Sequence, residues 1–596
     1  METCKLFSIK ELLNTPIFNS LFHIFAQNNA THRRFPDNFL FGVATSSHQV
    51  EGGWNATDKG ENIWDHITHT TDRVSDGTTA DITCDSYNQY ARDVEMLKEL
   101  NVDFYRFSLS WSRILPTGFD NKISQTGIAY YNNLINLLIE NNITPVVTLY
   151  HWDLPQPLQS IGGWPNPLME KYFTDYSRVA FEAFGDRVTE WLTFNEPLEV
   201  CQASYGNDAS APALNFRGVA DYLCAHTLIK AHARVYHMYD EVYRPTQNGK
   251  VGITLNAGWK EPEDPDSAAD VEAAEVVMQF QIGWYAHPIY SEEGDYPAVF
   301  KQRIAARSAE QGFSSSRLPS FTPEEIQYIR GTHDFLGLNH YTSYISKAPD
   351  ASTQWPSPSY WEDQGVIEYQ REDWPASPAT GWLKVCMNLP SIFIKNSKID
   401  QCDYRTKVCF LQRKKLSFSC LSHTLNFLTP SPPPPGICDE VLEYPLPIPH
   451  TQNHMYFFST KYNEIFRILS CIQRKINARY ISLYPPPLLV IFRDFFPNPP
   501  HFEPYIVPWG FTKLLVWLKN EYNGPEIIVF ENGFSNFGGV DDADRSSYYH
   551  LYLNALLDAI EQGVTITGYT AWSLMDNFEW LSGYTFFSRS LGHSLP

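Results

Sequence analysis

Two glutamates stand in matching local settings. One closes the string Thr193-Phe194-Asn195-Glu196-Pro197, and the other lies in Val529-Phe530-Glu531-Asn532-Gly533. Each follows an apolar, strand-like run and precedes a chain-turning residue. A carboxylate at the end of a buried strand is costly unless it is used. Two of them, far apart in sequence, point to a carboxyl pair facing a common pocket, which is the equipment for cutting a glycosidic bond.

The elements that must hold such a pair read as strands alternating with helices. Strand-like runs are expected at 39–50, 102–111, 144–150, 189–194, 250–256, 335–338, 527–530 and 566–572. Between them, 85–100, 128–140, 168–184 and 219–239 carry apolar residues at three- and four-residue spacing, the mark of a helix with one buried face. Thr144 to Tyr150 is apolar on both faces, as a parallel sheet requires. Eight strands, most followed by a helix, indicate an α/β fold, a (β/α)8 TIM barrel. Active sites of that fold lie at strand C-terminal ends, and polar residues recur there: Gln49 and Glu51, Arg106, His151 and Asp153, Asn195 and Glu196, Asn339 and Tyr341, Glu531, then Glu579 and Trp580.

Composition narrows the class of function. The net charge of −22 argues against a nucleic-acid groove or an anionic membrane surface. No apolar stretch reaches the ~20 residues of a spanning helix. Trp and Tyr are plentiful and suit sugar stacking, although most are expected to fill the core. The cysteines show no metal spacing such as paired C-x-x-C, and no metal or cofactor is expected. Sequons at Asn29, Asn55 and Asn142 favour a secreted protein. The apolar run 12–26 is broken by Asn14, Pro16, Asn19 and His23 and offers no good cleavage site, which leaves a cytoplasmic protein as the alternative.

One segment departs in texture. Residues 386–506 hold most of the cysteines, several proline runs and a basic triplet, Arg413-Lys414-Lys415. A structureless loop of this length is foreign to a compact domain. It reads as a disulfide-stapled domain, a proline-rich linker or translated non-coding sequence, the last being favoured because its flanks join smoothly.

Seven motifs in order give the chain a resemblance to glycoside hydrolase family 1, the retaining β-glucosidases, in the lactase-like and insect branch. They are the 39–52 run, Tyr105 to Trp111, Tyr150 to Pro155, Asn195-Glu196-Pro197, Gly337 to Thr342, Glu531-Asn532-Gly533 and Trp572 to Trp580. The resemblance implies Glu196 as general acid/base and Glu531 as nucleophile, with carboxyls about 5 Å apart. It implies Gln49, His151, Asn195, Asn339, Tyr341, Trp572, Glu579 and Trp580 as substrate-binding residues. Arg106 and Tyr341 would flank the nucleophile. Glu579 would receive the sugar's 4- and 6-hydroxyls, so a non-phosphorylated β-glycoside or oligosaccharide is the implied substrate. Glu196 stands where plant myrosinases carry Gln, which favours O-glycosides.

The chain departs from this pattern twice: at 386–506, and after Gly583, where the last barrel helix is not legible. The expected layout is a leader over 1–33, barrel strands one to six over 34–385, the atypical insertion over 386–506, units seven and eight over 507–583, and an atypical tail over 584–596. The competing readings are an inactive barrel that binds sugar or protein, and a non-functional splice or gene-model product.

Overall fold

Runs rich in Val, Ile, Leu and aromatics become strands here because both of their faces are covered. The computed structural model describes residues 33–371, 373–375, 505–535 and 542–585. All of these belong to one unit, formed within 1–384 and 502–596. Its strands are β1 (Leu40–Ala44), β2 (Phe104–Ser108), β3 (Thr144–Tyr150), β4 (Glu190–Asn195), β5 (Lys250–Asn256), β6 (Leu336–Asn339), β7 (Ile527–Asn532) and β8 (Ile566–Trp572). They close into a parallel barrel in chain order, with β8 returning to β1.

Helices α1 (Ser86–Leu100), α2 (Gln125–Glu140), α3 (Met169–Phe184), α4 (Ala220–Met238), α5 (Ala268–Met278), α6 (Pro508–Glu521) and α7 (Ala543–Glu561) surround the barrel. In α2, Ser124 caps the first turn by accepting from the Gly127 amide, and Tyr131, Leu134, Ile135 and Leu138 form its buried stripe. Truncating Leu138 to Ala would cost about 2–5 kcal/mol.

Inside the barrel, Phe104, Val146, Leu192, Phe335, Ile528 and Phe530 make an apolar plug. A larger apolar layer fills the space between strands and helices. A small sheet of 259–262, 343–347 and 367–369 lies apart from the barrel.

Two strands are shorter than the sequence suggests. The 39–50 run stops pairing at Ala44, and Ser47–Val50 forms a helical turn. The 102–111 run is a strand only over 104–108, and Trp111–Ile114 turns helically. Each run makes one more backbone bond to its neighbouring strand, Thr45 to the Arg106 carbonyl and Leu109 to the Thr148 carbonyl, and then leaves the ladder for its helical turn.

Chain segments on either side of 376–504 meet: the Ile506 amide donates to the Pro375 carbonyl at 2.7 Å. Residues 376–504, which contain nearly all of the atypical segment, lie outside the described residues, as do the leader over 1–32 and the tail from 586. Among the described residues, β8 is followed only by a short 3-10 turn at Trp580–Ser582.

Candidate active site

Every residue singled out by the sequence lies at the C-terminal rim of the barrel or on the loops leaving it. Glu196 directly follows β4, whose last residue is Asn195, and Glu531 lies near the end of β7. Both strands slip register just before their glutamate. In β4, Leu192 joins the plug, Thr193 and Phe194 both face outward, and Asn195 turns inward. In β7, Phe530 and Glu531 both face inward, while Asn532 reaches Tyr548 of α7. Such irregularities re-aim side chains at barrel rims. Gly533 allows the close crossing that follows, since a Cβ there would lie 2.2 Å from the Trp572 carbonyl oxygen.

A hydrogen-bonded chain links the two carboxyls. Arg106 of β2 donates from Nη1 to Glu531 Oε1 at 2.5 Å and from Nη2 to Asn195 Oδ1 at 2.6 Å. Thr148 of β3 fixes the guanidinium by accepting from Nε at 3.0 Å. Tyr341 Oη donates to the other Glu531 oxygen at 2.6 Å. Asn339 Nδ2 donates to Glu196 Oε1 at 2.7 Å and to Asn195 Oδ1 at 3.1 Å.

The electrostatic settings of the pair differ. Burial, then the negative charge of Glu531, lifts Glu196 well above the carboxylate range; the Asn339 hydrogen bond and Arg106 oppose this without reversing it. Burial and the adjacent Glu531 raise the Tyr341 phenol well above its ordinary value, so it stays a donor. His151 is held neutral by burial and by Arg106. Its Nε2 accepts from Asn195 Nδ2 at 3.1 Å, and its Nδ1 has no partner among the described residues.

The β8–β1–β3 sector forms a second wall. Gln49, in the turn after β1, is held by Ser46, Asn577 and the Phe578 carbonyl. Trp572 ends β8, and its ring stacks with His151 at 5.9 Å. Glu579 and Trp580 lie on the loop beyond, both partly exposed. Trp580 packs against Trp64 at 4.6 Å and Trp152 at 4.7 Å.

Sequence reading missed Trp152 and Thr148. Trp152 has a φ of 74° and donates to the Asn195 carbonyl at 3.0 Å; a non-glycine residue in that region carries strain often found at functional sites. Its place beside His151 was the available signal. Glu51 and Asp153 behave differently from their strand-end neighbours. Glu51 is paired with Arg113 and Tyr131, and Asp153 accepts from Ser47. Both serve the scaffold beneath the rim. Among the described residues, no group of three or more His, Cys, Asp or Glu could hold a metal ion.

A rim of this kind defines a class, the barrel glycosidases, which work with two carboxyls in contrasting environments. The model of Glycosyl hydrolase family 1 matches residues 31–411 and 498–587. Myrosinase 1 of Brevicoryne brassicae is 38% identical over 557 residues, covering 93% of this chain and 92% of the relative. The human cytosolic beta-glucosidase is 34% identical over 555 residues, covering 92% and 91%. The solved structure of aphid myrosinase has a TM-score of 0.69 at 37% identity and covers 93% of each chain. The chain belongs to glycosyl hydrolase family 1. Its reaction is retaining hydrolysis of β-glycosides.

Proposed function

We propose that Glu531 is the nucleophile and Glu196 the general acid/base of a β-glucosidase-type reaction on a neutral glycoside. The observation that carries this assignment is the contrast between the two carboxyls. Glu531 meets a guanidinium on one oxygen and a phenol on the other, a setting suited to a charged group. Glu196 is buried and, among the described residues, its side chain receives a single amide.

In the first step Glu531 attacks the anomeric carbon while Glu196 gives its proton to the departing glycosidic oxygen. The C–O bond to the aglycone breaks, and an ester to Glu531 forms. That ester no longer bears a charge, so the repulsion holding the Glu196 proton weakens. Glu196 then takes a proton from water, the water oxygen attacks the anomeric carbon, and the ester breaks to restore Glu531. Asn195, fixed by Arg106, His151 and Asn339, is placed to meet the sugar 2-hydroxyl. Gln49, His151, Glu579 and Trp580 receive the other hydroxyls, and Trp572 supplies the apolar platform.

Glu579 makes a phosphorylated sugar a poor ligand by charge repulsion. Export to an oxidising compartment is supported by the Cys201–Cys224 disulfide and by the exposure of Asn55 and Asn142, both in sequons. An activated 2-deoxy-2-fluoro-β-glucoside tests the assignment. Its slow turnover is expected to leave one sugar on Glu531, seen by intact mass and peptide mapping. A label on another residue, or α-configured product by proton NMR, would overturn it.

A further inference from the structure

Trp580, the proposed sugar contact on the loop after β8, stands on costly backbone. Its φ is 52°, in the left-handed region that a non-glycine residue occupies only when its surroundings impose it. Backbone bonds account for the main chain: the Phe578 amide donates to the Gln49 carbonyl at 3.2 Å, and the Gly583 amide to the Trp580 carbonyl at 3.1 Å. They leave the tilt of the indole to packing.

Among the described residues, four rings pack against that indole: His48, Trp64, His151 and Trp152. Trp64 and Trp152 cross it at 42° and 33°, and His151 belongs to the proposed sugar wall. His48 lies nearest to parallel, at 10° with 5.9 Å between centroids. The same imidazole meets Phe578 edge-on at 5.8 Å, so it packs on the loop at both sides of Glu579.

The nitrogens of His48 do not explain its place. Nδ1 lies 3.4 Å from Asn62 Nδ2, a long contact, and Nε2 has no partner among the described residues. Burial lowers its value to about 4, against the pull of Asp65, so the ring is uncharged near neutral pH. Beneath it, Asn62 is fixed by the Trp64 and Asp65 amides, which donate to its side-chain oxygen, and Lys59 holds Asp65 at 2.6 Å. His48 is a flat, neutral ring on a rigid floor.

We infer that His48 is a positioning residue: its ring face sets the tilt of the Trp580 indole, and so decides how well the indole N–H meets a sugar hydroxyl. This rests on the reading of Trp580 as a substrate-binding residue.

The test measures kcat/KM for 4-nitrophenyl β-glucoside and its 3-, 4- and 6-deoxy counterparts. Trp580→Phe removes the N–H and identifies the hydroxyl it meets, because the penalty for deleting that hydroxyl should vanish. His48→Ala should shrink the same penalty by about threefold or more, the worth of one aromatic pair, and leave the others unmoved. His48→Leu, of similar bulk without a flat face, takes its place should the alanine variant not fold. His48→Phe restores the ring without the nitrogens and should recover the wild-type penalties to within about twofold. Wild-type penalties in His48→Ala, an equal change in all of them, or a His48→Phe no better than His48→Ala overturns the inference while leaving Trp580 at the sugar. A Trp580→Phe variant that keeps every penalty overturns the reading of Trp580, and the inference with it.

Discussion

At the scale of single residues, the site gives two identical side chains contrasting surroundings. Glu531 is clasped by Arg106 and Tyr341, while Glu196 is raised by burial and by Glu531 itself. The coupling has a sign that an experiment can read. Glu531→Gln removes the neighbouring charge, so the Glu196 proton should come off at lower pH, by about one unit or more. Carbon NMR of labelled glutamate would follow it, and an unmoved titration would contradict the proximity. In wild type, activity should fall as pH rises through the Glu196 value, because the acid must begin protonated. The placement of the two glutamates was legible because each lies at the end of a strand whose apolar pattern is clear. The same pattern placed Glu51 and Asp153 beside them, and only the positions of Arg113, Tyr131 and Ser47 reveal that those two serve the scaffold.

Elements supply the aim. The register slips in β4 and β7 turn Asn195 and Glu531 into the barrel mouth, and neither is visible in the sequence. A period-two pattern read through Leu192 would instead have pointed Phe194 inward. The barrel itself was legible, since eight buried runs with helical spacing between them leave few alternatives. Strand ends were not, because apolar residues such as Val50 and Leu109 continue past the rim into other packing. Directly after Glu196, the Cys201–Cys224 disulfide ties the π-helical segment to α4. Cys201→Ala/Cys224→Ala should lower unfolding stability by about 3 kcal/mol, from the length of the loop it closes. Urea unfolding checks this, and a variant as stable as wild type would mean that packing alone holds the segment.

For the whole molecule, buried acids set the response to pH. Burial raises Asp153 to about 7 and Asp93 to about 6. Each therefore binds its proton more tightly folded than unfolded. The stability this gives is complete below the unfolded value near 4 and is lost as pH rises through 6 to 7. Melting temperature should fall by a few degrees across that window, and Asp153→Asn should flatten the fall. A curve identical to wild type would show that Asp153 does not carry the effect. The hydrogen bond from Ile506 to Pro375 has a different consequence. It brings the described residues on either side of 376–504 to the same point. The proposed acid/base, Glu196, lies before that stretch and the proposed nucleophile, Glu531, after it. Two separate polypeptides, one ending and the other beginning within it, should therefore assemble into a single barrel through the β6–β7 and β8–β1 seams. Each half would bring one glutamate, and hydrolysis would appear only on mixing, a complementation that co-expression of 1–384 and 502–596 can score directly.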